Sequence, residues 1–153
     1  MTKPNLEADL GYQLQLAALT SGYQARAALV DLDLTPARVT ALFHIREQPG
    51  CDQTELGNRL LVNRAAGMKI ANALAEQGLI ERAEGRDRRS KGLLLTSLGE
   101  RTLHAALQRL AEAGDRTCVG LNATERRTLL TLLSKLNAAA TAEALAGEVA
   151  EQP

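Results

Sequence analysis

Residues 52–96 read DQTELGNRLLVNRAAGMKIANALAEQGLIERAEGRDRRSKGLLLT, and the order of signals in this stretch decides the fold. Asp52 is a helix N-cap residue and Glu55 stands three residues on, the spacing at which two side chains reciprocally satisfy orphan amides. Leu56 and Leu60, four apart, give this short helix one inward edge. A turn near Leu61 and Val62 delivers Asn63, another N-cap residue. A second helix is predicted to run to Gln77, with Val62, Ile70, Ala71 and Leu74 toward the core. Gly78 stops it, because glycine takes the left-handed backbone at a helix end without steric cost. Residues 79–82 and 92–95 are short apolar runs of strand type, and the nine residues between them have nothing to bury. Two short helices joined by a tight turn and followed by a hairpin with a charged tip make a winged helix-turn-helix.

The composition around this stretch agrees. A chain of 153 residues is enough for one domain that buries its own core. Ala and Leu dominate, there is one Phe, two Tyr and no Trp, so the chain is predicted to be mainly α, with strand confined to the wing. The formal net charge is zero, but it is unevenly spread. Residues 59–91 hold eight Lys and Arg (59, 64, 69, 82, 86, 88, 89 and 91) against four acids (76, 81, 84 and 87). A positive segment in a neutral protein points to a local polyanion site. The plain reading of any such run is a solvated basic face. Here the run sits on a hairpin that follows a helix-turn-helix, which favours the polyanion.

Outside the central stretch the signals are helical. A first long helix is predicted over residues 5–31, with Glu7 and Asp9 in its first turn, where carboxylates suit the helix dipole. Leu6, Leu10, Leu14, Ala17 and Ala18 line one face, and Ala25, Ala28 and Leu29 continue it. Thr35 then Pro36 is a strong start signal: a capping hydroxyl, then a residue whose missing amide costs nothing at the first helical position. The helix over 36–48 is expected to bury Val39, Leu42, Phe43 and Ile45, and Pro49-Gly50 ends it. Beyond the wing, Ser97 and Glu100 have the spacing of a capping box, opening a helix to about residue 119 with Leu103, Leu107, Leu110 and Ala111 on one side. Gly120 breaks it. Asn122 and Glu125 make a further box, followed by a helix to about residue 146 that carries Leu129, Leu130, Leu132, Leu133 and Leu136. Residues 148–153 are expected to fray. The apolar surface of the arms exceeds what one chain can cover, so pairing with a second copy is expected. The organisation predicted is an N-terminal dimerisation helix over 1–33, a DNA-binding domain over 34–100 and C-terminal dimerisation helices over 101–153, in one compact chain without an independent linker.

Several classes of function are disfavoured. The first five residues hold no apolar signal core, and no window approaches the roughly 18 apolar residues of a membrane span, so a cytoplasmic protein is expected. Cys51 and Cys118 lack any close metal-ligand spacing, which argues against a zinc site or a disulfide framework. With only His44 and His104 there is no nucleophile and base pair, no metal-binding His motif and no phosphate loop, so the protein is not expected to be an enzyme or to need a cofactor. His44, inside the apolar second helix, reads as a core-edge histidine rather than a ligand.

The element order and several residues together resemble the MarR family of transcriptional regulators, winged-helix homodimers. The resemblance rests on Leu34-Thr35-Pro36, on Glu55-Leu56, on the run from Leu74 to Gly78-Leu79-Ile80-Glu81-Arg82, and on a wing pattern of Asp-x-Arg, five residues, then Leu-Thr, met by Asp87, Arg89, Leu95 and Thr96. These motifs cover about residues 34–100. One departure is Gly67 with Met68 inside the second, recognition helix, where many relatives carry a β-branched residue and a hydroxyl. Glycine there costs about 1 kcal/mol against alanine, and it permits close helix packing. The base contacts of better-known members therefore do not transfer.

Groove geometry assigns roles to the polar residues. A helix fits the major groove and offers side chains and free amides from its N-terminal half. Asn63, Arg64, Lys69 and Asn72 lie off the apolar face. Arg64 suits a guanine and Asn63 an adenine, or either grips phosphate. Arg89 at the wing tip is placed to enter a minor groove, with Asp87 holding it; the resemblance implies the same. Arg86, Arg88, Ser90 and Lys91 would contact the DNA backbone. The expected partners are a pseudo-palindromic double-stranded operator and a second copy of the chain. The resemblance adds a small effector of aromatic acid type that releases the DNA, and repression rather than activation; it assigns the effector no residues. Two alternatives stay open: a thiol-redox regulator working through Cys51 or Cys118, and a winged-helix protein-interaction module, against which five cations within residues 82–92 argue.

Overall fold

The computed structural model describes residues 5–84 and 91–150, with side chains over 5–83 and 92–139. The elements are α1 (Leu10–Leu29), α2 (Pro36–Glu47), α3 (Gln53–Arg59), α4 (Arg64–Glu76), β1 (Ile80–Glu84), β2 (Lys91–Leu95), α5 (Ser97–Thr117) and α6 (Ala123–Ala150). They fall into two compact units, one ending at Thr117 and one beginning at Cys118.

In the first unit the core is formed by Val39, Leu42 and Ile45 of α2, Leu56 of α3, Ala71 and Leu74 of α4, Ile80 and Leu93 of the hairpin, and Leu103 and Ala106 of α5. The strands pair antiparallel, from Ile80 opposite Leu95 to Glu84 opposite Lys91. A third segment joins this sheet through one bridge: the Gly50 amide donates to the Leu93 carbonyl and the Leu93 amide to the Cys51 carbonyl, both at 2.9 Å. Pro49-Gly50 therefore both ends α2 and feeds a strand-like segment into the sheet. Glycine is required on both sides for different reasons: a Cβ on Gly92 would stand 2.9 Å from the Gly50 Cα, and Gly50 has a φ of 83°, in the left-handed region.

Several boundaries differ from the sequence expectation for physical reasons. The N-terminal helix does not start at residue 5. Asn5 caps a short 3-10 turn over Leu6–Ala8, and Asp9 has an extended backbone and caps α1, its Oδ1 accepting from the Tyr12 amide at 2.8 Å. Glu7 and Asp9 thus precede α1 rather than occupying its first turn. A second 3-10 turn, Val30–Leu32, follows α1 and ends on Asp33 in the left-handed region. Phe43, expected in the core, is 36% exposed, its ring covered by the Arg46 guanidinium at 5.1 Å and edge-on to His44.

The cap of α5 is Thr96, not Ser97. The Thr96 hydroxyl accepts from the Gly99 amide at 3.0 Å and donates to the Gly78 carbonyl at 2.7 Å, which welds the start of α5 to the end of α4. On α5, Ala106 and Ala113 are buried, whereas Ala111 is exposed. The α1 and α5 helices pack on each other, and Arg109 Nη1 reaches both the Ala28 carbonyl and Asp31 Oδ2 at 3.4 Å.

In the second unit the Asn122–Glu125 box forms as read: the Asn122 amide donates to Glu125 Oε2 at 2.8 Å, and Asn122 Oδ1 accepts from the Thr124 and Glu125 amides. The α6 helix continues to Ala150, so residues 148–150 are helical where fraying was expected. Leu130 and Leu132 are 66% and 58% exposed, and Leu129 and Leu136 are exposed as well.

Candidate nucleic-acid interface

The candidate interface is built on α3 and α4. Both members of the first capping box are in place: Asp52 Oδ1 accepts from the Thr54 and Glu55 amides at 2.7 and 2.8 Å, and the Asp52 amide donates to Glu55 Oε2 at 2.8 Å. The turn to α4 passes through Leu61, whose φ of 52° is in the left-handed region. Asn63 then caps α4, its Oδ1 accepting from the Ala66 amide at 2.9 Å. The two helices cross at their glycines, where a Cβ on Gly67 would be 3.1 Å from the Gly57 Cα. That contact accounts for the glycine inside the recognition helix.

Gly67, Ala71 and Leu74 form the buried face of α4. Arg64, Ala65, Met68, Lys69, Asn72 and Glu76 are exposed on the other side. Their spacing of three and four residues makes them one face. Asn63 is exposed as well, though one acceptor site of its carboxamide is engaged in capping. Asn72 is also engaged: Arg82 of β1 donates from Nη2 to its Oδ1 at 2.5 Å. This ties the recognition helix to the wing and leaves Asn72 its amide donors for a partner.

Arg38 is a residue that sequence reasoning missed. It rises from the first turn of α2, with Nη1 donating to the Asp33 carbonyl at 3.3 Å, and lines a groove with Met68, Lys69, Asn72 and Glu76 of α4. A cation in the first turn of a helix opposes the dipole, and that misfit was the available signal. At the other end of α4, Gln77 Nε2 donates to the Asp33 carbonyl and to Asp33 Oδ2, at 3.0 and 2.8 Å. Asp33 thereby joins Arg38 to the end of the recognition helix.

Of the wing residues expected to touch DNA, Arg86, Asp87, Arg88, Arg89 and Ser90 lie outside the described residues. Only the backbone of Lys91 is described, paired with Glu84.

The two cysteines differ. Cys51 is fully buried in the core, and burial, then the Glu55 carboxylate, push its thiol pKa up. A buried thiol with a raised pKa is a poor nucleophile, which weighs against Cys51 as a reactive thiol. Cys118 is partly buried. His44 is partly buried, its pKa lowered by burial and by the Arg59 charge against an opposing effect of Glu47. It is the core-edge histidine expected. Among the described residues no cluster of three His, Cys, Asp or Glu side chains could hold a metal ion, and no helix is long and apolar enough to cross a membrane.

A capped recognition helix with a cationic exposed face, set beside an antiparallel hairpin, defines a winged-helix DNA-binding protein. Residues 32–90 match the model of the MarR family. The chain is 30% identical over 134 residues to a putative transcriptional regulatory protein for the hcr operon of Thauera aromatica, covering 86% of this chain and 81% of that one. Its fold is similar to that of the transcriptional repressor CouR of Rhodococcus jostii, solved on a 23-mer DNA duplex, with a TM-score of 0.81 and 31% identity over 90% of this chain and 98% of that one. It is similar as well to a Mycobacterium tuberculosis MarR family protein in complex with salicylic acid, with a TM-score of 0.71 and 28% identity over 84% of this chain and 96% of that one. The chain belongs to the MarR family of DNA-binding transcriptional regulators.

Proposed function

We propose that the protein is a cytoplasmic, non-enzymatic repressor that binds a pseudo-palindromic operator as a homodimer and releases it when a small aromatic acid binds. In this reading residues 1–33 and 101–153 supply the dimerisation helices and residues 34–100 the reading head. Each copy lays α4 in a major groove, and the two wings reach the flanking minor grooves. The observation that carries it is the exposed face of α4, with Arg64 and Lys69 opposite the buried Gly67, Ala71 and Leu74. Arg64, at the first helical position, is well placed for a guanine edge. Lys69, Arg38 and the wing residues Arg86, Arg88, Ser90 and Lys91 grip phosphate, and Arg89, held by Asp87, enters the minor groove. Asn63 and Asn72, with one acceptor site each engaged, work mainly through their amide donors. The salicylic acid in one relative supports the effector class. By linkage, such a ligand must bind free protein more tightly than DNA-bound protein.

The experiment is titration of wild type, Arg64→Ala and Arg89→Ala against a duplex selected from a random pool and against scrambled DNA, at several salt concentrations. Arg64→Ala should cost about 1 to 3 kcal/mol on the selected site and far less on scrambled DNA. Arg89→Ala should weaken every duplex and lower the salt slope by about one unit per lost contact. Equal losses on all duplexes for Arg64→Ala would reassign that residue to phosphate, and undiminished binding by both variants would remove this mode of docking.

A further inference from the structure

We propose that Met68 is a specificity-determining residue that reads the 5-methyl group of a thymine in each half-site. This rests on the assignment of α4 to the major groove. Met68 lies on the exposed face of α4 one turn beyond Arg64 and one turn before Asn72, and is 39% exposed. Of the described α4 side chains on this exposed face, Met68 is the large apolar one. Ala65, exposed one turn earlier, extends the apolar patch to two residues. The surroundings select the occupant. Lys69 and Arg38 line one groove with Ala65 and Met68, and Arg64 stands one turn before Met68 on the same face; Glu76 lines the far end of that groove, two turns further along α4. A polyanion is therefore admitted beside the N-terminal two turns and repelled at the C-terminal end.

Within a major groove the apolar group on a base edge is the thymine methyl, and apolar side chains are its recognition partners. Methionine is suited to the contact by its flexible, polarizable thioether. Gly67, one residue before, lets α4 sit against Gly57, with a would-be Cβ 3.1 Å from the Gly57 Cα. Met68, the next residue along the helix, falls outside that buried edge and is exposed. With one acceptor site of each of Asn63 and Asn72 already engaged, adenine reading by a bidentate carboxamide is weakened at both ends of the stripe. Recognition of an A·T pair then passes to the methyl on its thymine.

The test uses the full-length protein and a duplex selected from a random pool, in which each thymine in turn is replaced by deoxyuridine. That change deletes one methyl and leaves every hydrogen-bonding group in place. Wild type should lose about fourfold in affinity at one thymine of a half-site, the equivalent of exposing one methyl-sized group, and about fifteenfold when both half-sites are changed. Met68→Ala should bind the thymine and deoxyuridine duplexes alike, and Met68→Leu should keep most of the difference. Both variants are exposed helix positions filled by good helix formers, so folding is preserved. If no thymine shows a loss that Met68→Ala abolishes, or if Met68→Ala weakens all duplexes equally while the deoxyuridine penalty persists, the proposal is wrong and the docking of α4 stands. If Arg64→Ala and Lys69→Ala bind the selected duplex as wild type does, the docking itself fails and takes the proposal with it.

Discussion

Gly57 and Gly67 meet backbone to backbone where the two helices of the helix-turn-helix cross, so close that a Cβ on Gly67 would lie 3.1 Å from the Gly57 Cα and 3.4 Å from the Gln53 carbonyl oxygen. Two effects oppose each other at this position. Alanine gains about 1 kcal/mol of helix propensity over glycine, but the atoms in its way are backbone and cannot rotate aside. Gly67→Ala is expected to leave global stability within about 1 kcal/mol of wild type while pushing α4 away from α3. The measurable consequence is a drop of at least about tenfold in operator affinity, since a small tilt displaces every side chain at the groove. Chemical denaturation and DNA titration on the same variant separate the two. Full operator affinity in Gly67→Ala would show that the crossing has slack.

The same substitution should have opposite signs at two places on α5. A Cβ on Gly99 would fall 2.0 Å from the Leu79 carbonyl oxygen, and that oxygen already accepts the Thr96 amide at 3.1 Å. Gly114, on the same helix, has no atom within 4 Å of its would-be Cβ. Gly99→Ala is expected to destabilise by about 2 to 4 kcal/mol through overlap with backbone. Gly114→Ala is expected to stabilise by up to about 1 kcal/mol. Urea midpoints of the two variants check both signs, and a neutral Gly99→Ala would mean that the end of α4 moves freely relative to α5.

These contrasts show which parts of the molecule were legible in the sequence. Asp52 with Glu55, Asn63, and Asn122 with Glu125 announce helix starts because a cap is satisfied within three residues of itself. The cap of α5 was misplaced by one residue because Thr96 and Ser97 are both hydroxyls. What chooses Thr96 is its bond to the Gly78 carbonyl, eighteen residues away. Phe43 obeyed the apolar period but lies where α2 turns from the core, and Arg46 closes over it. The bridge between Cys51 and Leu93, the groove that joins Arg38 to α4 and the bond from Arg82 to Asn72 depend on tertiary geometry that periodicity does not encode. The face of α4 was legible, since Arg64, Lys69 and Asn72 are exposed as expected. Missing from that reading was which of them are already engaged.

Stability should fall on acidification through His44. Burial and the Arg59 charge hold its pKa below the ordinary 6.5, so the fold prefers the neutral ring. Above about pH 6.5 both folded and unfolded chains are neutral here and the full stability is present. As pH falls below that value, the unfolded chain takes up a proton that the folded chain refuses, and stability is lost until the folded-state pKa is passed. His44→Gln should flatten this part of the profile. The check is the urea midpoint of both proteins between about pH 7.5 and 5; parallel curves would assign the acid sensitivity to other groups.

On α6, Leu129, Leu132 and Leu136 recur at spacings of three and four residues and are all exposed, as is Leu130. A stripe of leucines at this period is the seam of helix against helix. Fully burying one such side chain is worth about 1.5 to 3 kcal/mol. Exposing three or four in one stripe would disfavour a stable monomer, and a second copy is the partner that a symmetric operator requires. Leu132→Asp or Leu136→Asp should shift the protein to monomer or to insoluble material, because an aspartate in an apolar seam loses its hydration without gaining a partner. Lys135→Asp, a surface change on the same helix turn, should leave the dimer intact. A soluble monomeric variant should also bind the operator at least about a hundredfold more weakly, since each half-site is then held alone and the gain from linking the two reading heads is lost. Light scattering at micromolar concentration with DNA titration on the same samples decides it. A wild-type chain that is monomeric, yet binds a two-half-site duplex no better than a single half-site, would remove the dimer from the mechanism.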